Sequence, residues 1–273
     1  MRRSHVPCTA LATLAALLCA GCGPGPDSRP ASGTASKASA EPAPDHTGTV
    51  RAAAEATRAT SARTSQTMEL GDGSKSYTLT ATGDFDMARD KGALSVDFPG
   101  GGISHVDEVF SDGKVYLRGM SGTDKDTWAS IARDKAEAHY ALRAPLNDPE
   151  YVLEQVSALT KVTKAGEEEL GGVPTVHYRG TLPFQAAASR LAMDKRALFE
   201  ELHAKIGGEV PVSAEVWVDG RGRLVQSRMT LTLGPSKSVT TVAFSELGKS
   251  VRVEVPAARD TVPVTTITGV LAG

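Results

Sequence analysis

Six histidines, three cysteines and 32 acidic residues carry the reactive side chains of this 273-residue chain. No two histidines stand in a His-Glu-x-x-His arrangement, the spacing that would put two imidazoles on one helix face around a metal ion. Ser104, His105 and Asp107 have the side-chain types of a hydrolase triad. A triad gathers residues from separate elements, however, and three neighbours in sequence read as one exposed strand or loop. Ser121, in Gly119-Met120-Ser121-Gly122, lacks the Gly-x-Ser-x-Gly spacing of a nucleophile elbow. Phe98-Pro99-Gly100-Gly101-Gly102 has neither the Lys-Ser/Thr ending nor the following helix of a phosphate cradle, and reads as a flexible loop. Glu167-Glu168-Glu169 is acidic enough for a cation, but adjacent side chains on a hairpin splay apart, which favours a solvated face. These spacings predict no catalytic residue, no metal site and no cofactor, and hence no enzyme.

The cysteines are Cys8, Cys19 and Cys22, all within the first 22 positions, so no disulfide or thiolate metal site is available beyond them. Around them Arg2 and Arg3 precede an apolar run, Leu11 to Leu18, that is too short to span a bilayer and ends in the small residues Ala20 and Gly21. That is the pattern of an export signal. The run Leu17-Leu18-Cys19-Ala20-Gly21-Cys22 resembles the bacterial lipobox, with Cys19 at the position three before the cysteine where Leu is usual. The resemblance implies that residues 1–21 are removed and that the Cys22 thiol is diacylglycerated, and two acyl chains anchor a protein stably. Loss of Arg2 and Arg3 takes 30 basic residues to 28 against 32 acidic ones, a formal −4. Such a domain is a poor partner for nucleic acid or an anionic surface, so its membrane association must come from the lipid. The expected location is the outer face of the cytoplasmic membrane.

Residues 23–46 contain no Leu, Ile, Val, Phe, Tyr or Trp and read as a disordered tether spanning roughly 27 Å. Domain boundaries follow: signal peptide 1–21, lipidated cysteine and tether 22–46, folded domain 47–273. Thr47–Glu69, rich in Ala, Thr and Arg with no Pro, predicts a helix. Strands follow from strict alternation: Tyr77 to Met87; Leu94, Val96 and Phe98; then Val115 and Leu117 after the turn Ser111-Asp112-Gly113-Lys114. Asp148-Pro149 marks a helix start, with the aspartate as cap and proline in the first turn. A hairpin over Glu167–Pro174 leads into the strand Val176–Arg179, and Leu191, Leu198, Leu202 and Ile206 place one helix over 185–206. Val210 to Val218 and Val225 to Leu233 flank Asp219-Gly220 as a hairpin, with further strands at 239–244 and 251–255.

The Asp148-Pro149 helix, the phrase Gly172-Val173-Pro174-Thr175-Val176-His177-Tyr178, Val216-Trp217-Val218-Asp219 with Gly222-Arg223-Leu224, and Phe244-Ser245-Glu246-Leu247-Gly248-Lys249 to Val255-Pro256 come in the order seen in actinobacterial lipoproteins of the LppX/LprG group. Over residues 47–260 the chain resembles that group, which shares the LolA-like fold. The resemblance implies an α+β fold, an open antiparallel half-barrel sheet with helices on its concave face and an apolar cavity between. It further implies a monomeric, lipid-anchored carrier of acyl chains or lipids in the cell envelope. The alternating strands nominate Leu94, Val96, Phe98, Val115, Leu117, Val216, Val218, Met229 and Leu231 as cavity wall, although the same parity serves a filled core. Trp217, on the opposite parity, falls on the outer face. The alternative from another class is a regulatory or sensory lipoprotein that binds an envelope protein partner in stress signalling.

Overall fold

The computed structural model describes residues 44–120, 123–208 and 210–267; Cys22, the signal segment and the tether as far as residue 43 lie outside them. The chain enters through α1 (Thr47–Arg58), then β1 (Ser61–Gly71), β2 (Ser76–Asp86), β3 (Lys91–Asp97), β4 (His105–Ser111), β5 (Lys114–Arg118) and β6 (Trp128–Ala132). A strap of short turns leads to α2 (Pro149–Ser157), β7 (Thr160–Leu170), β8 (Val173–Thr181), α3 (Phe184–Ala188) and α4 (Met193–Ile206). The chain closes with β9 (Val212–Asp219), β10 (Leu224–Leu233), β11 (Ser236–Ser245) and β12 (Thr261–Pro263). Among the described residues these strands make one sheet in the order β12-β6-β5-β4-β3-β2-β1-β11-β10-β9-β8-β7. Every pairing is antiparallel except that of β12 with β6, and β12 and β7 remain as edges, so the sheet is open.

The register explains where the core sits. Ala81 pairs with Val96 and Gln66, Val96 with Val106, Gly83 with Leu94, Leu94 with Glu108, and Glu108 with Leu117, so one side-chain face runs unbroken across β1 to β5. On the other half Met68 faces Thr240, Thr240 faces Met229, and Met229 faces Ala214. The period of two sends all of these to one side, and that side is buried. Phe85 and Phe110 meet edge to face there, 5.2 Å apart. Helices α1 and α2 cover part of the face. The buried Thr57 hydroxyl of α1 accepts the Leu224 amide at 2.8 Å and donates to the Ala53 carbonyl at 3.0 Å, tying the helix to β10. Asp148 caps α2 by accepting the Glu150 amide at 2.9 Å, and its carboxylate also takes both arms of Arg133 at 2.6 and 2.7 Å, so the predicted cap doubles as an ion pair.

Three expectations are corrected. The first helix ends at Arg58, and 61–71 is the strand β1, because Ala62, Thr64, Gln66 and Met68 alternate into the core, a period that the mild helix propensity of the segment does not override. The single helix over 185–206 is two. Between them the Ala192 amide bonds the Ala138 carbonyl at 2.8 Å and Arg190 bonds the carbonyls of Arg133 and Ala136, so tertiary hydrogen bonds pull the chain out of helix; Leu198 and Ile206 are exposed. Residues 251–255 join no ladder of the sheet; they follow Lys249, whose ammonium pairs with Asp84 at 3.0 Å. The exposed strand or loop expected around Ser104–Asp107 is the strand β4, while β6 and β12 lie where no strand was expected.

Gly83 is the tightest point of this sheet. A Cβ there would stand 1.9 Å from the Ala93 carbonyl oxygen, a backbone atom that cannot swing away. Gly83→Val should therefore destabilise the domain by about 3 kcal/mol, lowering the melting midpoint by roughly 6–12 °C. Gly166→Ala, with nothing within 4 Å of the point its methyl would occupy, serves as the neutral control. Equal midpoints for the two variants in a thermal melt would refute the close-packing argument.

Candidate functional site

The buried face is not covered along its whole length. Where the β1–β2 and β10–β11 hairpins turn, a cavity of about 800 Å³ opens. One cross-strand row makes its wall: Tyr77 on β2 pairs with Leu70 on β1, Leu70 with Ser238 on β11, and Ser238 with Leu231 on β10. The next row inward, Leu79, Met68, Thr240 and Met229, is buried and lies beneath it. From the β3 side Phe98 stands 6.3 Å from the Tyr77 ring, and Tyr140 of the strap lines the cavity together with Ile103 and Leu233. Phe98 is held by the fold-back of its own loop: its amide bonds the Ser104 carbonyl at 2.9 Å and its carbonyl accepts the Gly101 amide at 3.1 Å. The loop read as flexible in the sequence is thus a clasp for an aromatic wall residue.

Polar groups are confined to the rim and one wall position. Asp72 accepts the amides of Ser74 and Lys75 at 2.8 and 2.7 Å, and these bonds, that from Lys75 foremost, hold its carboxyl below the ordinary range. They fix the hairpin tip. Lys237 joins it at the rim. The Ser238 hydroxyl on the wall, like that of Thr240 one row deeper, has no hydrogen-bond partner among the described residues. An apolar chamber with a charged, exposed mouth can take a hydrocarbon chain and leave a polar head in water.

All nine nominated wall residues share the buried face, and the structure divides them. Phe98 and Leu231 line the cavity. Leu94, Val96, Val115, Leu117, Val216, Val218 and Met229 are closed over by the helices, the strap and each other. Sequence reasoning passed over Leu70, Tyr77, Ile103, Tyr140, Leu233 and Ser238. For Leu233 the signal was present, two residues beyond Leu231 on the same parity; Leu70 follows directly on the segment 47–69 expected as helix, so its strand parity went unread.

A family model described as LppX_LprAFG lipoprotein matches residues 48–253. A curated relative, the uncharacterized 31.2 kDa protein in the rplA-rplJ intergenic region of Streptomyces griseus, is 28% identical over 195 residues, 63% of this chain. The chain spans 64% of that relative's length. Among solved structures, LppX of Mycobacterium tuberculosis is 16% identical with a TM-score of 0.48, the match covering 76% of this chain and 97% of that one. LprF of Mycobacterium bovis is 14% identical with a TM-score of 0.46, covering 78% and 97%.

On the opposite face two histidines sit among carboxylates. Trp217 is on this outer side, as its parity predicts, yet it is buried there: the His177 ring stacks on it at 4.5 Å and its indole donates to Glu168 at 2.5 Å. Glu167 turns instead to Lys164 at 2.6 Å, so the acidic run splays. His105, half exposed, lies 2.8 Å from Asp97 and 3.3 Å from Asp107, while Ser104 offers only its backbone carbonyl to Phe98. The hydrogen bond to Asp97 raises the His105 pKa most, burial opposes it, and Asp107 adds to the rise. Stability from this group is complete below the ordinary histidine value of about 6.5 and is lost as pH climbs through the raised folded value. Asp97→Asn should move the His105 midpoint downward in an NMR titration of its ring proton; an unmoved midpoint would show that Asp97 is not the cause.

Proposed function

We propose that this chain, which belongs to the LppX_LprAFG lipoprotein family, is a membrane-anchored extracytoplasmic protein that binds acyl chains of a lipid in its apolar cavity and carries them within the cell envelope. The observation that carries this reading is the Tyr77–Leu70–Ser238–Leu231 row: a wall left uncovered on the same apolar face that elsewhere forms the core. Its volume lies in the range of small-molecule sites, roughly 300–1,000 Å³. Each methylene moved from water into such a chamber contributes about 0.8 kcal/mol, so a long chain is held without a dedicated polar contact. The chemistry asked of the protein is exclusion of water, and no side chain needs a catalytic role.

The anchor completes the scheme. Diacylglycerated Cys22 would hold the domain on the outer face of the membrane, with the 23–46 tether letting the cavity mouth reach and leave the lipid surface. No helix among the described residues is long and apolar enough to cross a membrane. A second reading, a regulatory lipoprotein that docks a protein partner, draws on α4, where Met193 is 85% and Leu198 61% exposed.

A fluorescent fatty-acid probe separates the two readings. The wild-type domain should bind it saturably, and Leu231→Trp, which fills the wall position, should weaken binding at least about tenfold while keeping a native-like melt, the loss matching the few buried methylenes it displaces. Absence of saturable binding, or equal binding by the filled variant, would sink the cavity reading and favour the partner-docking one. Independently, Cys22→Ser should release the protein from membranes, because Cys22 is the one thiol left once residues 1–21 are removed. Continued sedimentation with membranes after a high-salt wash would defeat the anchor.

A further inference from the structure

The strap between β6 and α2 has features that a permanent wall does not need. Leu142, Leu146 and Asn147 adopt positive φ of 68°, 48° and 55°, a region that residues with a Cβ populate sparsely. Leu142, Ala144 and Leu146 are nonetheless buried, pressed onto the sheet. The strap also places polar groups in that core. Asn147 donates to the fully buried Glu108 at 3.1 Å, in the register between Leu94 and Leu117, and Arg143 lies buried beside them. Glu108 Oε2, Asn147 Oδ1 and Arg143 Nε have no hydrogen-bond partner among the described residues. Strained backbone over unpaired buried polar groups makes a seat that is only weakly preferred.

We propose that the segment Tyr140–Asp148 is a displaceable plug of the cavity, latched through Asn147 and Glu108, whose release uncovers the β3–β5 part of the apolar wall for a longer chain. The inference rests on the lipid-binding reading, since Tyr140, at the strap's head, lines the existing cavity. It also accounts for Leu94, Val96 and Leu117, which carry the pattern of a wall yet are filled over in the seated state.

The latch responds to pH. Burial pushes the Glu108 carboxyl up to about 8, while the Asn147 hydrogen bond and the Arg143 charge pull it down and Asp148 pushes it up; burial in turn lowers the pKa of Arg143. The seated strap keeps the proton on Glu108 and the released strap gives it up. Seating is therefore favoured at low pH and weakens as pH rises from the ordinary carboxylate range through about 8.

Hydrogen exchange of the mature chain carrying Cys22→Ser, corrected for intrinsic rates, tests this without a ligand. From pH 6 to pH 9 amides of 140–148 should lose protection roughly tenfold or more relative to β4, and Glu108→Gln should abolish the difference. If that variant fails to fold, the wild-type profile from pH 5 to 9 decides the same question by its midpoint. Added long-chain fatty-acid probe should lower strap protection at pH 6. A strap that follows β4 at every pH and ignores a bound probe is a fixed wall, and the plug is overturned while lipid binding stands. A pH-released strap in a protein that binds no probe instead overturns the lipid reading, and with it the plug's role at the cavity.

Discussion

A β-sheet of this size has one apolar face that must be kept from water, and the chain supplies too little helix to do it. Among the described residues twelve strands make the sheet, and those of its interior alternate to present the face; α1, α2 and the strap lie over part of it. Coverage ends at the hairpin tips, and the cavity is what remains there. The same constraint accounts for the sheet's tight spots. Gly83 and Gly92 stand where the strands curve most closely onto neighbours, Gly92 directly beneath the Phe85 ring. The cavity wall and the core are therefore one surface, differing in what rests on it.

Much of this was legible in sequence because period-two alternation reports burial directly. Val212, Ala214, Val216 and Val218 were enough to place β9, and Asp219-Gly220 to place its turn. The parity of Trp217 was right as well, although burial on the outer face was invisible, since it comes from His177 and Glu168 on neighbouring strands. β1 was missed because Thr64 and Gln66 occupy two of its inward positions, and a polar residue facing inward carries no hydrophobic signal. β4 was left open between strand and loop for a related reason: an acid, Glu108, takes the inward register between Val106 and Phe110. The family was legible from ordered phrases along the chain, but the division of the nine candidate wall residues into lining and core was not. That division depends on what lies opposite, and the strap that decides much of it has no periodicity at all.

Polarity is distributed unevenly between the two faces. Outside, charges pair and share water: Asp84 with Lys249, Asp107 with Arg118, and Glu215 within reach of Arg179. Inside, Glu108, Arg143 and Asn147 are grouped where hydrophobic side chains of similar volume would be more stable. A sequence selected only for a rigid core would not keep them. Their position under the most strained backbone of the domain marks that corner as the part of the fold with two accessible arrangements.

The order of strands has a consequence for how the chain comes to be folded. β1, near the start of the domain, sits in the interior of the sheet and takes β11, residues 236–245, as one of its two neighbours. Its ladder is incomplete until residues 236–245 have been made, so its contacts are of long range in sequence and folding is expected to be slow. For most proteins that is a hazard, because an unpaired central strand invites aggregation. If the chain is exported as proposed, it is useful: a topology that cannot close early would leave the nascent polypeptide competent for translocation, the fold locking only once its last long strand has emerged on the far side.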